Sequence, residues 1–582
     1  MLNFFIAIVI LYMPKRYILI IALLITFGHD SMAQLTVDSR MTVRDSLTNT
    51  YLCTVPEECF KMPLTVNSVT LNDSPNVLIN GTDASHGYTF DNISANSTWT
   101  VSNESGTIAM LQFTFLPIVS IEGTVSNDYS TGNVTVITPS NNIASPCKIK
   151  NKGGSSNLSY IQKRNYHLKF VDDNNQKTDY KFFDDMRSDN NWILDAGTLD
   201  RIRVRNRVFS DLWNDIATPP YYATEQPKAL TGTRGKMVEV FKNGEYQGVY
   251  VLSEAIDRKQ LKLKKYDEQQ QVINGQLWKV IDRTSTTQMQ TSPRFNNASP
   301  TWSGFEVEYP DFDDISPTEY STLYNAINFV AHSNDEDFAQ HVHEYLDIPV
   351  LRDLYIFLQL TLGFDNLGKN IYWACYDRNT SNIITPIPYD FDATAGQSWK
   401  RKEYHPGYLS PDVDLYTSRW DADVDQFLYR NIKWNVNNFN GLATQRYNNL
   451  RTGPLHTDSI MARFMNYIEP LQLSGALQRE EARWKDGTDN GNYPVNFMGE
   501  YYYIRWWFYA RMPWLDSYFA QRITGDTNED NQTDITDIGN VINHLLGNSS
   551  VPDIYSYKLD VNNNHSIDIS DVNALVDIIL HQ

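Results

Sequence analysis

Hydrophobic and polar positions follow two different periods along this chain, and the change of period divides it. Between residues 34 and about 112 the apolar runs are short and alternate with polar residues, as in Leu64-Thr-Val-Asn-Ser-Val-Thr-Leu71, and turn residues such as Asn80-Gly81 interrupt them. Period-two runs rich in Thr and Val predict a β-sandwich. From about residue 113 strand and helix patterns mix. Tyr166-His-Leu-Lys-Phe170 predicts a strand, and Met237 to Phe241 with Tyr246 to Ser253 predicts a hairpin around Asn243-Gly244. Apolar residues recur at helical spacing from Ile348 to Leu362, with Asp347 placed to cap the helix and Pro349 tolerated in its first turn. Asn370 to Tyr376 and Ile383 to Ile387 predict a second hairpin, and Tyr501 to Phe519 an aromatic helix kinked at Pro513. After a break at Arg522-Ile-Thr-Gly525, two short apolar helices are expected, Ile538 to Leu546 and Val572 to Leu580.

A chain of 582 residues exceeds one ordinary core, so the pattern is read as several domains. The divisions are residues 1–33, 34–112, 113–519 and 522–582. The first carries a positive Lys15-Arg16, an apolar stretch from Tyr17 to Phe27 and a small-residue cleavage site at Ser31-Met32-Ala33. That is the layout of a signal peptide, with Met1 and Met13 both open as the start and a signal anchor as the rival reading. A secreted or cell-surface protein is expected, with no membrane span after cleavage. The net charge of −20, from 49 basic and 69 acidic residues, argues against nucleic-acid binding, which needs clustered Lys and Arg. Four cysteines, Cys53, Cys59, Cys147 and Cys375, allow disulfides in an exported chain, with Cys53–Cys59 a local candidate. With no Cys-x-x-Cys pair, a structural zinc site is not expected.

Part of the acidic excess is ordered. Calcium takes six to eight oxygens, and a loop that wraps it needs side-chain oxygens at positions 1, 3, 5, 9 and 12 and a backbone carbonyl at position 7. Asp526, Asn528, Asp530, Asp534 and Asp537 have this spacing, with Gln532 at position 7. Asp560, Asn562, Asn564, Asp568 and Asp571 repeat it with Ser566 at position 7. Each loop runs into one of the apolar helices. The pair resembles a type I dockerin, a small all-α module. That resemblance implies two bound calcium ions and a cohesin on another protein as partner, met by Ile535, Thr536, Ile569 and Ser570. Asn531 and His565 stand where an EF-hand has glycine, and Asn tolerates the left-handed turn.

In the large middle region, Asp365-Asn-Leu-Gly-Lys-Asn370 is followed by a hairpin and then by Tyr389-Asp-Phe-Asp392. Phosphoryl transfer needs a carboxylate for the attacking hydroxyl and oxygen ligands for magnesium, and a protein-kinase catalytic loop meets this need in the same order and spacing. On spacing alone, turn-capping residues with solvated strand-end acids are an equal reading. His341, His343 and Glu344 lie in a polar stretch and read as a solvated face. Trp302 and the other aromatics read as core.

Over residues from about 113 to 519 the chain also resembles the spore-coat protein H (CotH) kinase family, atypical kinases of α+β fold. The matching stretches, in the family order, are Gly153-Gly-Ser-Ser156, Lys163-Arg-Asn-Tyr166, Asn191-Trp-Ile-Leu194, Arg205-Asn206, Asn243-Gly-Glu-Tyr-Gln-Gly-Val-Tyr250 with Glu254, Gly304-Phe-Glu-Val-Glu308, Asp365 to Asn370 and Tyr389 to Asp392. The resemblance implies magnesium and ATP as cofactors. It makes Asp365 the catalytic carboxylate, Asn370 and Asp390 metal ligands, and Glu254 the anchor of a phosphate-steadying lysine, placed at Lys163 with Lys169 as competitor. Arg205 is open between supporting the nucleotide and packing the fold. Tyr389 and Asn157 depart from the family's Trp and Arg.

Three functions remain open. The first is a kinase acting on a protein or other hydroxyl acceptor. The second is a non-catalytic CotH-like binding component, for protein or glycan, in a cohesin–dockerin, polysaccharide-degrading assembly. The third is a carbohydrate-active enzyme, for which the paired Glu306 and Glu308 are too common a feature to argue.

Overall fold

The computed structural model describes residues 37–581, apart from 39, 72–76, 104–105, 314, 398–408, 418–424, 489–494, 521–523 and 531. The expected signal peptide, residues 1–33, lies outside the described residues. The chain folds into two compact units that exchange segments. One takes the chain up to residue 196 with 236–252 and 467–495; the other takes 197–235, 253–466 and 496–582.

The first unit is β-rich. The alternating N-terminal runs form a six-stranded sheet and a two-stranded one (Leu64–Val66 with Tyr88–Phe90) around a single core. Cys53 and Cys59 both sit in that core as free thiols, so the disulfide that their spacing allows is not made. Burial pushes the Cys59 thiol up to about 11.

After this region the chain closes a seven-stranded barrel from β1 (Ile118–Glu122), β2 (Ser130–Thr138), β3 (Asn141–Lys152), β4 (Asn165–Phe170), β5 (Asn191–Asp195), β6 (Gly235–Lys242) and β7 (Glu245–Glu254). Alternation sends Tyr166, Leu168 and Phe170 of β4 into the barrel core. Asn243 (φ 50°) and Gly244 (φ 74°) turn β6 into β7, both left-handed as a two-residue hairpin requires.

The second unit builds a five-stranded antiparallel sheet in the order β9 (Thr301–Trp302), β10 (Phe305–Tyr309), β8 (Gln276–Val280), β11 (Ile371–Cys375) and β12 (Thr385–Pro388). Helices α1 (Arg205–Ile216), α2 (Ser321–His332), α3 (Ile348–Thr361), α4 (Gln426–Lys433), α5 (Phe439–Arg451) and α6 (Phe497–Tyr518) belong to the same unit. Asp347 stands at the N-cap position of α3, but its side chain makes no cap bond there. Its carboxylate is drawn instead to the Tyr221 N–H and the Thr385 hydroxyl, both at 2.8 Å. α6 runs as one helix through Pro513.

The chain ends in α7 (Ile535–Leu545) and α8 (Ile569–Leu580). Both begin three residues before the apolar pattern does. Asp534 with Asp537, and Asp568 with Asp571, form reciprocal capping boxes that start each helix inside the acidic loop. Val541, Leu559, Val561 and Leu575 make a small core between them. Among the described residues no helix is long and apolar enough to cross a membrane.

Candidate functional site

In the second unit, α3 ends at Leu362 in left-handed backbone (φ 48°), and the turn Phe364–Asn366 that follows presents Asp365. The Asp365 carboxylate accepts the Asn370 amide N–H at 2.8 Å. Arg283 and Lys369 hold positive charge 3.8 and 3.9 Å from its Oδ1. Asn366, wholly buried, donates to the carbonyls of Tyr389 (2.8 Å) and Asn370 (3.3 Å), and the Tyr389 N–H donates to the Asn370 carbonyl at 3.0 Å. These bonds lace the start of β11 to the end of β12, so that Asp365, Asn370 and Tyr389-Asp390 form one rigid corner. Asn370 (φ 52°) and Asp390 (φ 62°) both hold left-handed backbone, a conformation that concentrates where function requires it.

Asn206, the residue after Arg205, accepts the Phe391 N–H at 3.1 Å, and the Phe391 ring packs edge-on against Phe357 of α3 with centroids 5.0 Å apart. Sequence reading singled out Arg205; Asn206 is the neighbour that holds the Asp-Phe-Asp turn. Arg205 itself is fully buried, with its guanidinium 2.5 Å from Asp200 and 2.5 Å from Glu500. Those bonds join the start of α1 to α6.

The Tyr389 phenol is pushed well above its ordinary value, first by burial and then by the negative fields of Asp390, Glu308, Asp365 and Glu306. Four carboxylates from three chain segments therefore act on one phenol, and the paired glutamates of β10 belong to the same electrostatic neighbourhood as Asp365 and Asp390. Lys279 lies 3.9 Å from Glu308.

The remaining expected site residues divide between the units. In the second, Glu254 takes the Arg234 guanidinium at 2.7 Å. In the first, Lys163 is wholly buried and its ammonium contacts Glu480 at 2.8 Å and the Val249 carbonyl at 2.7 Å, over the Tyr250 ring. Glu480 also accepts the Val249 N–H at 2.8 Å. Gly248 makes this approach feasible: its φ is +95°, and a Cβ there would stand 1.8 Å from the Glu480 carboxylate. Nothing near Glu480 in the sequence announces this role. Asn157, in the family's arginine position, accepts a bond from the Arg164 guanidinium at 3.0 Å. His341 sits at the surface and pairs with Glu344 at 2.9 Å.

The two acidic loops at the C-terminus are wound alike. Asp526 and Asn528 accept the Asp530 N–H, and Asp530 accepts that of Gln532. Asp560 and Asn562 accept the Asn564 N–H, and Asn564 that of Ser566. Asp537 and Asp571 are buried, each bonded to three backbone N–H groups of its own loop. All these accepting atoms are oxygens, the chemistry that a hard cation prefers. Among the described residues no three Asp, Glu, His or Cys side chains are gathered as a metal cage; Asn528, Asn562 and Asn564 hold three of the loop positions.

No curated protein matches the chain. The family model described as CotH kinase protein matches residues 149–515, well over half of the chain, and the span contains Lys163, Asp365, Asn370 and Asp390 in order. The chain belongs to the CotH kinase protein family.

Proposed function

We propose that this protein is an exported atypical kinase whose calcium-loaded C-terminal dockerin attaches it to a cohesin-bearing partner. The observation that carries the kinase reading is the corner in which Asn370 donates to Asp365 while Asn366 and Tyr389 fix Asp390 beside them. The donor set is carboxylate and amide oxygen, which suits magnesium. Asn370 turns its amide nitrogen to Asp365, which leaves its oxygen, with Asp390, to hold the metal. Magnesium-bound ATP would supply the phosphoryl group, with its charge spread over metal and protein donors. Asp365 orients the acceptor hydroxyl and takes its proton. Arg164 offers a guanidinium beside Asn157, at the position where the family's arginine is missing.

The oxygen-only loops support two calcium ions, held by Asp526, Asn528, Asp530, Asp534 and Asp537 with the Gln532 carbonyl, and by Asp560, Asn562, Asn564, Asp568 and Asp571 with the Ser566 carbonyl. Exposed Ile535 and Ile569, at equivalent loop positions, suit a protein partner. Nucleotide binding tests the kinase reading: magnesium-ATP should raise the melting temperature of the wild type and not that of Asp390→Ala. Phosphoryl transfer should vanish in Asp365→Ala; transfer that survives it would remove Asp365 from its role.

A further inference from the structure

The segment between the two acidic loops is not a free spacer. Residues Asp553–Lys558 form a short 3-10 helix with Ile554, Tyr555 and Ser556 buried. Asp553 accepts from the Lys433 ammonium at 2.7 Å and from the Tyr429 hydroxyl, both on α4. Tyr555 donates to Asp414 at 2.5 Å and shares a 2.8 Å hydrogen bond with the Tyr518 hydroxyl. Tyr518 is bonded in turn to Tyr355 at 2.6 Å, and Gln359 donates to Asp414 at 3.1 Å. Tyr355 and Gln359 lie on α3, the helix that delivers Asp365. At its other end the segment runs through Leu559 directly into Asp560, the first residue of the second loop, while Lys558 reaches Glu529 in the first loop at 2.6 Å.

We propose that Asp553–Lys558 is a latch by which the C-terminal module is fastened to α3, α4 and the Asp414 turn, so that calcium in the loops stabilises the large domain as well as the module. This rests on the calcium reading of the loops. The physical argument is linkage: a ligand that orders the loop following Leu559 also orders the segment whose hydrogen bonds are shared with α3, and its binding free energy is then spread over both. The Tyr555–Asp414 contact is a buried phenol–carboxylate bond, which is costly to leave unmade, and the exposed bonds of Asp553 to α4 add a second point of attachment.

All thirteen tryptophans of the chain lie at or before Trp514, so tryptophan emission reports the rest of the protein and not the module. The full chain is melted by tryptophan emission with calcium and with a chelator, and calcium binding is measured calorimetrically on the same samples. Calcium should raise the tryptophan-detected midpoint by a few degrees. In the double variant Asp553→Asn, Tyr555→Phe calcium should still bind while the shift disappears. Binding with no tryptophan shift in the wild type would overturn the latch and leave the calcium reading standing. A shift that persists in the double variant would overturn the assigned contacts. Absence of calcium binding would remove both.

Discussion

The Asn370 amide donates to the Asp365 carboxylate at 2.8 Å, across the turn that separates α3 from β11. This bond does two things: it fixes the rotamer of Asp365, and it orients the amide oxygen of Asn370 away from that carboxylate. Asn370→Gly removes both effects and keeps the left-handed backbone (φ 52°) on which the bond from Asn366 to the residue-370 carbonyl depends. Phosphoryl transfer should fall by roughly 10²-fold or more, the range for losing one positioned polar group, and the magnesium concentration needed for half-activity should rise. An unchanged magnesium requirement would separate Asn370 from the metal.

Gly248 and Glu480 form a pair of similar consequence in the first unit. A methyl group at residue 248 would overlap the carboxylate that pairs with Lys163. Breaking a buried ion pair costs on the order of 3 kcal/mol, because an uncompensated charge is left inside. Gly248→Ala should therefore lower the unfolding free energy measured in urea by about that amount, and Glu480→Gln by a comparable one. A Gly248→Ala protein within about 0.5 kcal/mol of wild type, the range of neutral surface changes, would show that the carboxylate does not need the space.

Local pattern is enough to foresee the hairpin at Asn243-Gly244 and the helix after Asp347, because each rests on neighbours within a few residues. The ion pair of Lys163 joins residues 317 positions apart, and no period or motif can report such a pairing. Asn206 stands in the Arg205-Asn206 stretch, but its role, a single bond to a backbone N–H, leaves no compositional trace. The capping boxes at Asp534 and Asp568 leave no separate mark, since the same aspartates stand at loop-ligand spacing and the apolar pattern begins only three residues into each helix. The thiols of Cys53 and Cys59 show the limit of counting, because spacing permits a bridge that the β-rich core instead fills with two buried side chains.

Asp534 serves the first loop–helix boundary in two ways that substitution can separate. Its Oδ1 caps α7 through the Thr536 N–H at 2.7 Å, and its charge would count toward calcium. Asp534→Asn retains a capping oxygen and loses the charge, so helicity without calcium should be unchanged while calcium affinity falls on the order of tenfold, since ligand charge tunes such loops. Asp534→Ala loses both, and the helix should be weakened by about 1 kcal/mol even in chelator. Far-UV circular dichroism with calcium titration distinguishes the two. Equal calcium affinity in wild type and Asp534→Asn would remove position 9 from the ligand set.

His167 gives the barrel a dependence on pH. Its ring bridges β4 to its surroundings, with Nδ1 2.9 Å from the Tyr129 hydroxyl and Nε2 2.5 Å from the Asn191 side-chain oxygen. Burial, with Lys152, Lys169 and Lys150 adding to it against the Asn191 bond, lowers its pKa to about 3. The folded state thus refuses a proton that the unfolded chain accepts below about 6.5. Because the unfolded state binds more protons in that window, stability is complete above about pH 6.5 and declines as pH falls toward 3. The slope for one such group approaches 1.4 kcal/mol per pH unit. Carboxylates contribute as well below about pH 5, so the informative comparison lies between pH 6.5 and 5. His167→Gln, which keeps a donor and an acceptor on a side chain of similar reach, should lose less stability than wild type across that interval. Parallel curves for the two proteins in urea unfolding would show that His167 is not the group responsible.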